Sequence, residues 1–176
     1  LRGRVMYSEQ YRPWFFYLLS GVVIALIGWV AYSIPWFLDE SISDLERNLT
    51  IGGFILLVGY LVWMTWVVSV YAVRFDGENL TFGFLGWKVS FTRVTITSAK
   101  MVKISWLKWG GMGWRIRGLK KIGYITKSGP GIEIQTTPKG RSYTFNCKDP
   151  NMLLRELAMR GVAVEYDSAD SSSGFD

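Results

Sequence analysis

The chain has 176 residues, a formal net charge of +6, one cysteine and no histidine. A single cysteine excludes an intrachain disulfide framework, and the lack of histidine removes the usual ligand of zinc and haem and the usual general base near neutral pH. We therefore expect a protein that is not an enzyme and that holds no cofactor or metal, with no catalytic residues.

Residues 1–13 are basic and aromatic, carry a net charge of +2 and are typical of a cytoplasmic collar at a membrane interface. Two uncharged apolar runs follow, at residues 14–38 and 51–73. At the rise of an α-helix these runs are about 37 and 34 Å long, which is enough to cross the ~30 Å hydrocarbon layer of a bilayer. Because only twelve residues, 39–50, separate them, we predict a two-helix transmembrane hairpin over residues 14–73.

Charge sets the expected orientation of this hairpin. The external loop, residues 39–50, has a net charge of −3, whereas the segments on both sides of the hairpin are basic. Lys and Arg stay on the cytoplasmic side of membrane spans, so both termini are expected in the cytoplasm. Within the loop, Ser43 followed by Glu46 is compatible with a short surface helix and equally with an ordinary loop.

The first apolar run places small residues on one face of the predicted helix. They recur every three or four residues, at Gly21, Ala25, Gly28 and Ala31. Small residues let a neighbouring helix approach closely, so this face is predicted to pack against another helix. The expected partner is the second run, in which Gly52 and Gly59 lie seven residues apart. A chance distribution of small residues is the alternative.

Beyond residue 73 the sequence changes from helical periodicity to the alternation of β-strands. The pair Asp76-Gly77 between apolar runs predicts a hairpin, because such turns need a residue with positive φ. Later runs rich in Val, Thr and Ile, or separated by Gly and Pro turns, predict further strands. The predicted strands are 70–75, 80–84, 88–91, 94–104, 124–127, 132–136 and 143–147.

The chain ends in a predicted amphipathic helix. Asp149 and Pro150 suit the N-cap and the first helical position, and Gly161 suits the C-terminal end. Cys147 lies on the apolar face of the preceding strand and is predicted to be a small core residue rather than a nucleophile. Many short strands followed by one helix predict a mainly β barrel over residues 74–165. The acidic, serine-rich tail at 166–176 is expected to be disordered.

Several motifs of this region share their glycines and charges with a known family. They are Gly110-Gly111-Met112-Gly113-Trp114-Arg115-Ile116-Arg117, Gly123-Tyr124, Gly129-Pro130-Gly131-Ile132-Glu133, Gly140-Arg141, and Asp149-Pro150 with Leu153, Leu154 and Leu157. This pattern resembles small bacterial membrane proteins of the bacterial PH-domain type, in which a two-helix membrane hairpin precedes a PH-like domain. The resemblance implies a PH-like barrel closed by one C-terminal helix, located at the bacterial inner membrane, and a scaffold rather than a reaction.

Residues 79–132 contain ten Lys or Arg and no Asp or Glu. Within this stretch, glycines at 110, 111 and 113 predict a loop or bend, and tryptophans alternate with the charges. Basic residues near an anionic leaflet are attracted to it by ~1 kcal/mol each, and indole rings suit the interface. We predict a surface for lipid or a partner protein formed by Lys108, Arg115, Arg117, Lys120, Lys121, Trp106, Trp109 and Trp114. The alternative is that the charges reflect membrane orientation alone and the tryptophans fill the barrel.

Two functional hypotheses follow from these patterns. The first is a non-catalytic, membrane-anchored scaffold, an accessory or assembly subunit that stabilises a larger membrane protein complex, photosynthetic or respiratory. The second is a PH-like module that binds anionic lipids at the cytoplasmic leaflet. Other membrane subunits and anionic lipids are the expected partners. Nucleic acid is not expected, since the chain is anchored and lacks a recognised reader motif.

Overall fold

The computed structural model describes residues 5–37, 43–138 and 140–165. The chain divides into two compact units, Arg12–Ser69 and a second unit that combines Leu1–Tyr11 with Val70–Asp176. The unit formed by residues 12–69 corresponds to the predicted hairpin. The predicted tail at 166–176 and residues 39–42 of the predicted external loop lie outside the described residues.

The first unit consists of two helices, α1 (Trp14–Phe37) and α2 (Asp44–Val67). Both are long and apolar enough to cross a membrane. Large apolar side chains on them are exposed, such as Ile24 at 70% and Leu56 at 76%, whereas a core helix of a soluble domain would bury such residues. The prediction of two apolar helices of spanning length is therefore confirmed.

The second helix begins earlier than the apolar run alone indicates. Ser43 is its N-cap, and the Ser43 hydroxyl accepts the Glu46 backbone N–H at 3.3 Å. The Ser43 hydroxyl also donates to the Glu46 carboxylate at 2.9 Å, which gives the first turn a second bond. Neither alternative for this segment, a separate short surface helix or a loop, describes residues 44–50, which are the first turns of α2.

The second unit contains ten strands among the described residues, and the first four form one antiparallel sheet in the order β1-β2-β3-β4. They are β1 (Tyr7–Tyr11), β2 (Tyr71–Phe75), β3 (Asn79–Phe84) and β4 (Trp87–Thr92). The predicted hairpin between β2 and β3 is confirmed, and the Asp76 carboxylate closes its turn by accepting the Asn79 N–H at 2.7 Å. The backbone N–H groups of Asn79 and Glu78 both donate to this carboxylate, and these two hydrogen bonds lower the pKa of Asp76.

Strand β1 differs from the predicted N-terminal collar. It pairs along its whole length with β2, from Tyr7 opposite Phe75 to Tyr11 opposite Tyr71. The prediction of a collar separate from the domain therefore does not describe residues 7–11, which are an edge strand of the first sheet. The partner strand lies far away in sequence, so a five-residue run such as this one carries no local turn signal that would reveal the pairing.

The other six strands form a second, mixed sheet in the order β10-β5-β8-β9-β7-β6. They are β5 (Ile96–Ile104), β6 (Gly113–Arg117), β7 (Lys121–Ile125), β8 (Gly129–Thr136), β9 (Arg141–Asn146) and β10 (Ala163–Glu165). Helix α3 (Pro150–Ala158) precedes β10, and the Asp149 carboxylate caps it by accepting the Met152 N–H at 2.9 Å. The predicted N-cap and first helical residue are thus confirmed.

Aromatic side chains join the two sheets into one core. The ring of Phe82 on β3 stacks on that of Phe145 on β9, with centroids 4.0 Å apart. The Tyr71 hydroxyl donates to the Asn146 carbonyl at 2.9 Å across the same interface. Among the described residues the sheets are not hydrogen-bonded edge to edge, so the predicted closed barrel is not found. Two open sheets that pack against each other form the domain, with α3 beside β5.

Glu9 is a carboxylate on the inner side of β1. Its Oε2 accepts the Lys148 backbone N–H at 2.7 Å and the Tyr7 hydroxyl at 3.0 Å. Burial nevertheless raises the pKa of Glu9, because desolvation outweighs these bonds. The neighbouring Cys147 is 1% exposed, and burial raises the pKa of its thiol. A protonated, enclosed thiol is a core group, as the sequence predicted.

Candidate functional site

The loop between β5 and β6 is an ordered structure that lies beside the second sheet. Its backbone closes on itself, with the Trp109 N–H donating to Ser105 O at 3.3 Å and the Gly111 N–H donating to Trp106 O at 2.9 Å. The Trp106 N–H donates to the Ser128 hydroxyl at 3.1 Å, which fixes the start of the loop to the turn before β8. The sequence prediction of a glycine-rich loop is confirmed, and its own hydrogen bonds hold the shape.

The indole of Trp109 lies against strand β7 at Gly123. A Cβ atom added to Gly123 would lie 2.7 Å from Trp109 Cε3, closer than atoms of real side chains come. Only a residue without a side chain leaves room for the ring at this position. The Gly123-Tyr124 motif of the sequence therefore has a physical role, since Gly123 seats Trp109 while Tyr124 faces the core.

A pocket of about 190 Å³ lies where this loop meets the second sheet. Four residues of the predicted surface line it: Lys108, Trp109, Arg117 and Lys121. Glu133 on β8 and Thr144 on β9 line it as well, and these two residues are directly opposite each other in the sheet. The structure thus gathers half of the predicted surface residues around one concave site.

The side chains that line this pocket carry a net positive charge. Arg117 and Lys121 are cross-strand partners on β6 and β7, an arrangement of like charges that destabilises a sheet by roughly 0.2–1 kcal/mol. Among the described residues no carboxylate lies within 4.0 Å of Lys108, Arg117 or Lys121. The one carboxylate of the pocket, Glu133, is paired with Lys100 at 3.7 Å. Lys103 lines the pocket as well, so four cations surround it and its one carboxylate is already paired.

The other half of the predicted surface lies outside the pocket. Arg115 packs its guanidinium against the loop, with Nη2 2.7 Å from where a Cβ of Gly111 would be. Trp114 points to the opposite face of β6 and contacts Trp87, with ring centroids 6.3 Å apart. Lys120 is exposed in the turn between β6 and β7. Trp106, at the start of the loop, is 40% exposed.

Several lining residues were not predicted as site residues, among them the cation Lys103 on β5 and the polar residues Glu133 and Thr144. Glu133 alternates with buried residues on β8, and Thr144 alternates with buried residues on β9. This alternation places Glu133 and Thr144 on the face opposite those core residues, which is the signal that sequence reasoning had available, although Thr144 is itself only 4% exposed. The pairing of β7 with β9, which places Thr144 opposite Gly123, is parallel and non-local, and no local pattern indicates it.

A second concave region lies on the outer face of the first sheet and has a volume of about 590 Å³. Its cations are Arg74 and Lys88, and the hydroxyls of Thr81 and Ser90 hydrogen-bond to each other at 2.9 Å on its floor. Asp76 also lines it, so the charges are mixed. This region is larger than the pocket beside Trp109, and its charge is less one-sided, because Glu9 lines it as well as Asp76.

The helical unit has a separate candidate surface on α1. A Cβ atom added to Gly21 or Gly28 would meet no atom within 4 Å, and the same holds for Gly52 and Gly59 on α2. The close approach of α1 to α2 through these glycines, which the sequence predicted, is therefore not found. The two helices contact each other elsewhere, as at Trp29 and Phe54, whose ring centroids are 5.3 Å apart. Ala25 and Ala31 on the same predicted face are exposed.

These features define a class of protein: two helices of membrane-spanning length joined to a β-rich domain with a cationic pocket. No protein-family model, curated protein or solved structure matches this chain. Functional conclusions consequently depend on the geometry and charge described above.

Proposed function

We propose that the protein is a non-catalytic, membrane-anchored scaffold, an accessory or assembly subunit of a larger membrane protein complex of the photosynthetic or respiratory kind. The β-rich domain, interpreted as PH-like from its sequence motifs, would hold the cytoplasmic side of the complex at the bacterial inner membrane. The apolar helices, with their exposed side chains, supply the anchor.

One observation carries this proposal, the small-residue face of α1. Apart from the chain neighbours and backbone of α1 itself, no atom of the described residues lies within 4 Å of a Cβ placed at Gly21 or Gly28. In a bilayer, small residues are useful where another helix approaches closely, because lipid tails pack equally well on larger side chains. Since α2 does not use this face, a helix of another subunit is the occupant that fits it.

The pairing of β1 with β2 supports the proposed orientation. The chain leaves the β-rich unit after Tyr11 and returns at Val70, and Tyr11 is directly opposite Tyr71 in the sheet. Strands of one sheet lie on one side of a bilayer, so the segments before and after the hairpin share a side. The basic charge of these segments favours the cytoplasm.

The scaffold proposal is tested by changing Gly21 and Gly28 to leucine in the full chain. Because each new side chain meets open space within the protein, we expect the thermal unfolding of the purified protein in detergent to be unchanged. We expect the apparent mass of the mildly solubilised protein on size-exclusion chromatography to fall from that of a larger assembly to that of a single chain.

Gly53→Leu is the matched control, since Gly53 also has no atom within 4 Å and lies outside the predicted packing face. This variant should keep the larger apparent mass. A wild-type protein that runs at the mass of one chain in mild detergent would refute the scaffold proposal, and so would an unchanged assembly in the double variant.

The cationic pocket favours a second candidate function, docking of the β-rich domain on anionic lipids. Each basic residue near an anionic leaflet contributes ~1 kcal/mol of attraction. We expect replacement of Arg115, Arg117, Lys120 and Lys121 together by glutamate to abolish binding of the protein to vesicles rich in phosphatidylglycerol. Vesicle flotation at low salt measures this, and unchanged binding would exclude the lipid-docking function.

A further inference from the structure

We infer that the pocket beside Trp109 is a binding site for a phosphate monoester. This inference rests on the second candidate function and deepens it, because it replaces a diffuse attraction to negative surfaces with one defined site. The site comprises the cations Lys103, Lys108, Arg117 and Lys121, and Trp109 and Thr144 belong to the same lining.

The number and type of charges favour a dianion. Four cations line the pocket, and two of them, Arg117 and Lys121, are held opposite each other by the register of β6 and β7. A phosphate monoester carries close to two negative charges at neutral pH and has three strong acceptor oxygens. The arginine fork and the lysine ammonium groups are the donors that proteins use for this group. A bound dianion would also remove the repulsion between Arg117 and Lys121.

Glu133 does not exclude an anion from the pocket. Its carboxylate is paired with Lys100, 3.7 Å away on the neighbouring strand β5. That pair is close to neutral, so the four cations that line the pocket determine its charge. Thr144, opposite Glu133 in the sheet, adds a hydroxyl that can donate to a phosphate oxygen.

The pocket is built before any ligand arrives. The loop that carries Lys108 and Trp109 is closed by its own hydrogen bonds, and Trp109 is seated on Gly123. Arg117 and Lys121 lie on paired strands rather than on a free loop. The backbone of the site therefore needs no rearrangement on binding, and only the exposed side chains of the four cations lose freedom.

A phosphate monoester can come from a lipid headgroup or from a soluble metabolite, and the experiment separates the two sources. The full chain in non-ionic detergent is titrated by calorimetry with glycerol 3-phosphate, with dihexanoyl phosphatidic acid and with dihexanoyl phosphatidylglycerol. The first two probes carry a monoester, and the third carries a diester with a single charge. We expect saturable binding of a monoester that is at least about 10-fold tighter than binding of the diester.

The two monoesters then identify the source. Equal affinity for glycerol 3-phosphate and phosphatidic acid indicates a soluble ligand, and binding of phosphatidic acid alone indicates a lipid headgroup. Either result supports the site. The monoester preference should weaken as the pH falls below about 6, where the phosphate loses its second charge. Absence of saturable monoester binding, or equal affinity for the diester, would overturn the inference.

Adjacent lysines provide a matched pair of variants. Lys121 lines the pocket, whereas Lys120, its neighbour in the chain, is exposed in the turn and does not. We expect Lys121→Gln to weaken monoester binding by about 10-fold and Lys120→Gln to change it by less than about 2-fold. Circular dichroism should be the same for both, and thermal unfolding of Lys121→Gln should be unchanged or slightly higher, because the repulsion with Arg117 is removed. Equal losses of monoester affinity in the two variants would overturn the assignment of the binding site to this pocket.

Failure of the pocket and failure of lipid docking give different results. If the pocket inference is wrong but docking is right, wild-type protein binds phosphatidylglycerol vesicles, the quadruple charge reversal abolishes that binding, and monoester titrations show no saturation. If docking is wrong and the pocket takes a soluble ligand, vesicle binding is absent while glycerol 3-phosphate still saturates the wild-type protein and binds Lys121→Gln weakly.

Discussion

Gly83→Ala is expected to lower the free energy of unfolding of the β-rich domain by about 4 kcal/mol. Gly83 lies in β3 with φ of 133°, a conformation that residues with a side chain rarely adopt. A Cβ at this position would overlap the carbonyl oxygen of Trp87 and lie 3.1 Å from Tyr124 Cε1. The backbone of β4 would have to move away, because a carbonyl in the paired strand cannot rotate aside. Chemical unfolding of the full chain in detergent, followed by near-ultraviolet circular dichroism, measures the loss.

Gly118→Ala is the matched control for this prediction. Gly118 also has a positive φ, 67°, but a Cβ there would meet no atom within 4 Å. The control therefore isolates backbone strain, which costs roughly 1–2 kcal/mol in the left-handed region. The difference between the two variants measures the clash with β4. Equal losses would show that β4 does not press on Gly83 as the structure describes.

The sequence predicted the helical part of the fold more completely than the β-rich part. Runs of more than twenty uncharged apolar residues have few alternatives to a membrane-length helix, so both helices were predicted. The bounds of α1 were predicted almost to the residue, whereas α2 begins at Asp44 and ends at Val67 instead of spanning residues 51–73. Most strands were also found, because alternation and turn residues are local signals. The arrangement of the strands in the two sheets was not predicted, because pairing such as that of β7 with β9 depends on contacts between residues distant in sequence.

The expectation of a closed barrel illustrates this limit. A barrel and two packed sheets need the same alternation of inward and outward residues, so the pattern of short strands suits both. What distinguishes them is whether edge strands such as β4 and β10 pair with each other, and in the described residues they do not. Strand β1 completes the first sheet from a segment of the chain that precedes α1 by two residues.

The sequence predicted the types of residue that form the candidate site, but only part of their arrangement in space. Charge and tryptophan content indicated residues 106–121, and Lys108, Trp109, Arg117 and Lys121 do line one pocket. Proximity in sequence did not separate them from Arg115 and Lys120. Lys120 lies in the turn between β6 and β7, and Arg115, although it shares a face of β6 with Arg117, packs against the loop at Gly111. The division therefore depends on the turn and on the fold of the loop, which the sequence left open.

Phe82→Ala is the second large effect we expect, a loss of about 4 kcal/mol in the free energy of unfolding. Phe82 is fully buried, and its ring stacks on that of Phe145 with centroids 4.0 Å apart. The rings of Phe82 and Tyr124 are in a T-shaped arrangement with centroids 5.4 Å apart. Phe82 therefore holds the first sheet to the second, and a cavity there loosens the contact that makes the two sheets one core. The measurement is the same unfolding titration in detergent.

A double-mutant cycle separates the contact between Phe82 and Phe145 from general loss of burial. If the stack joins the sheets, Phe82→Ala and Phe145→Ala together should cost less than the sum of the single variants, by about 1 kcal/mol, because the second change removes a partner already lost. Leu119→Ala, at a residue that is 97% exposed, should leave the free energy of unfolding unchanged. Strict additivity of the two phenylalanine changes would mean that the rings act independently and that other contacts join the sheets.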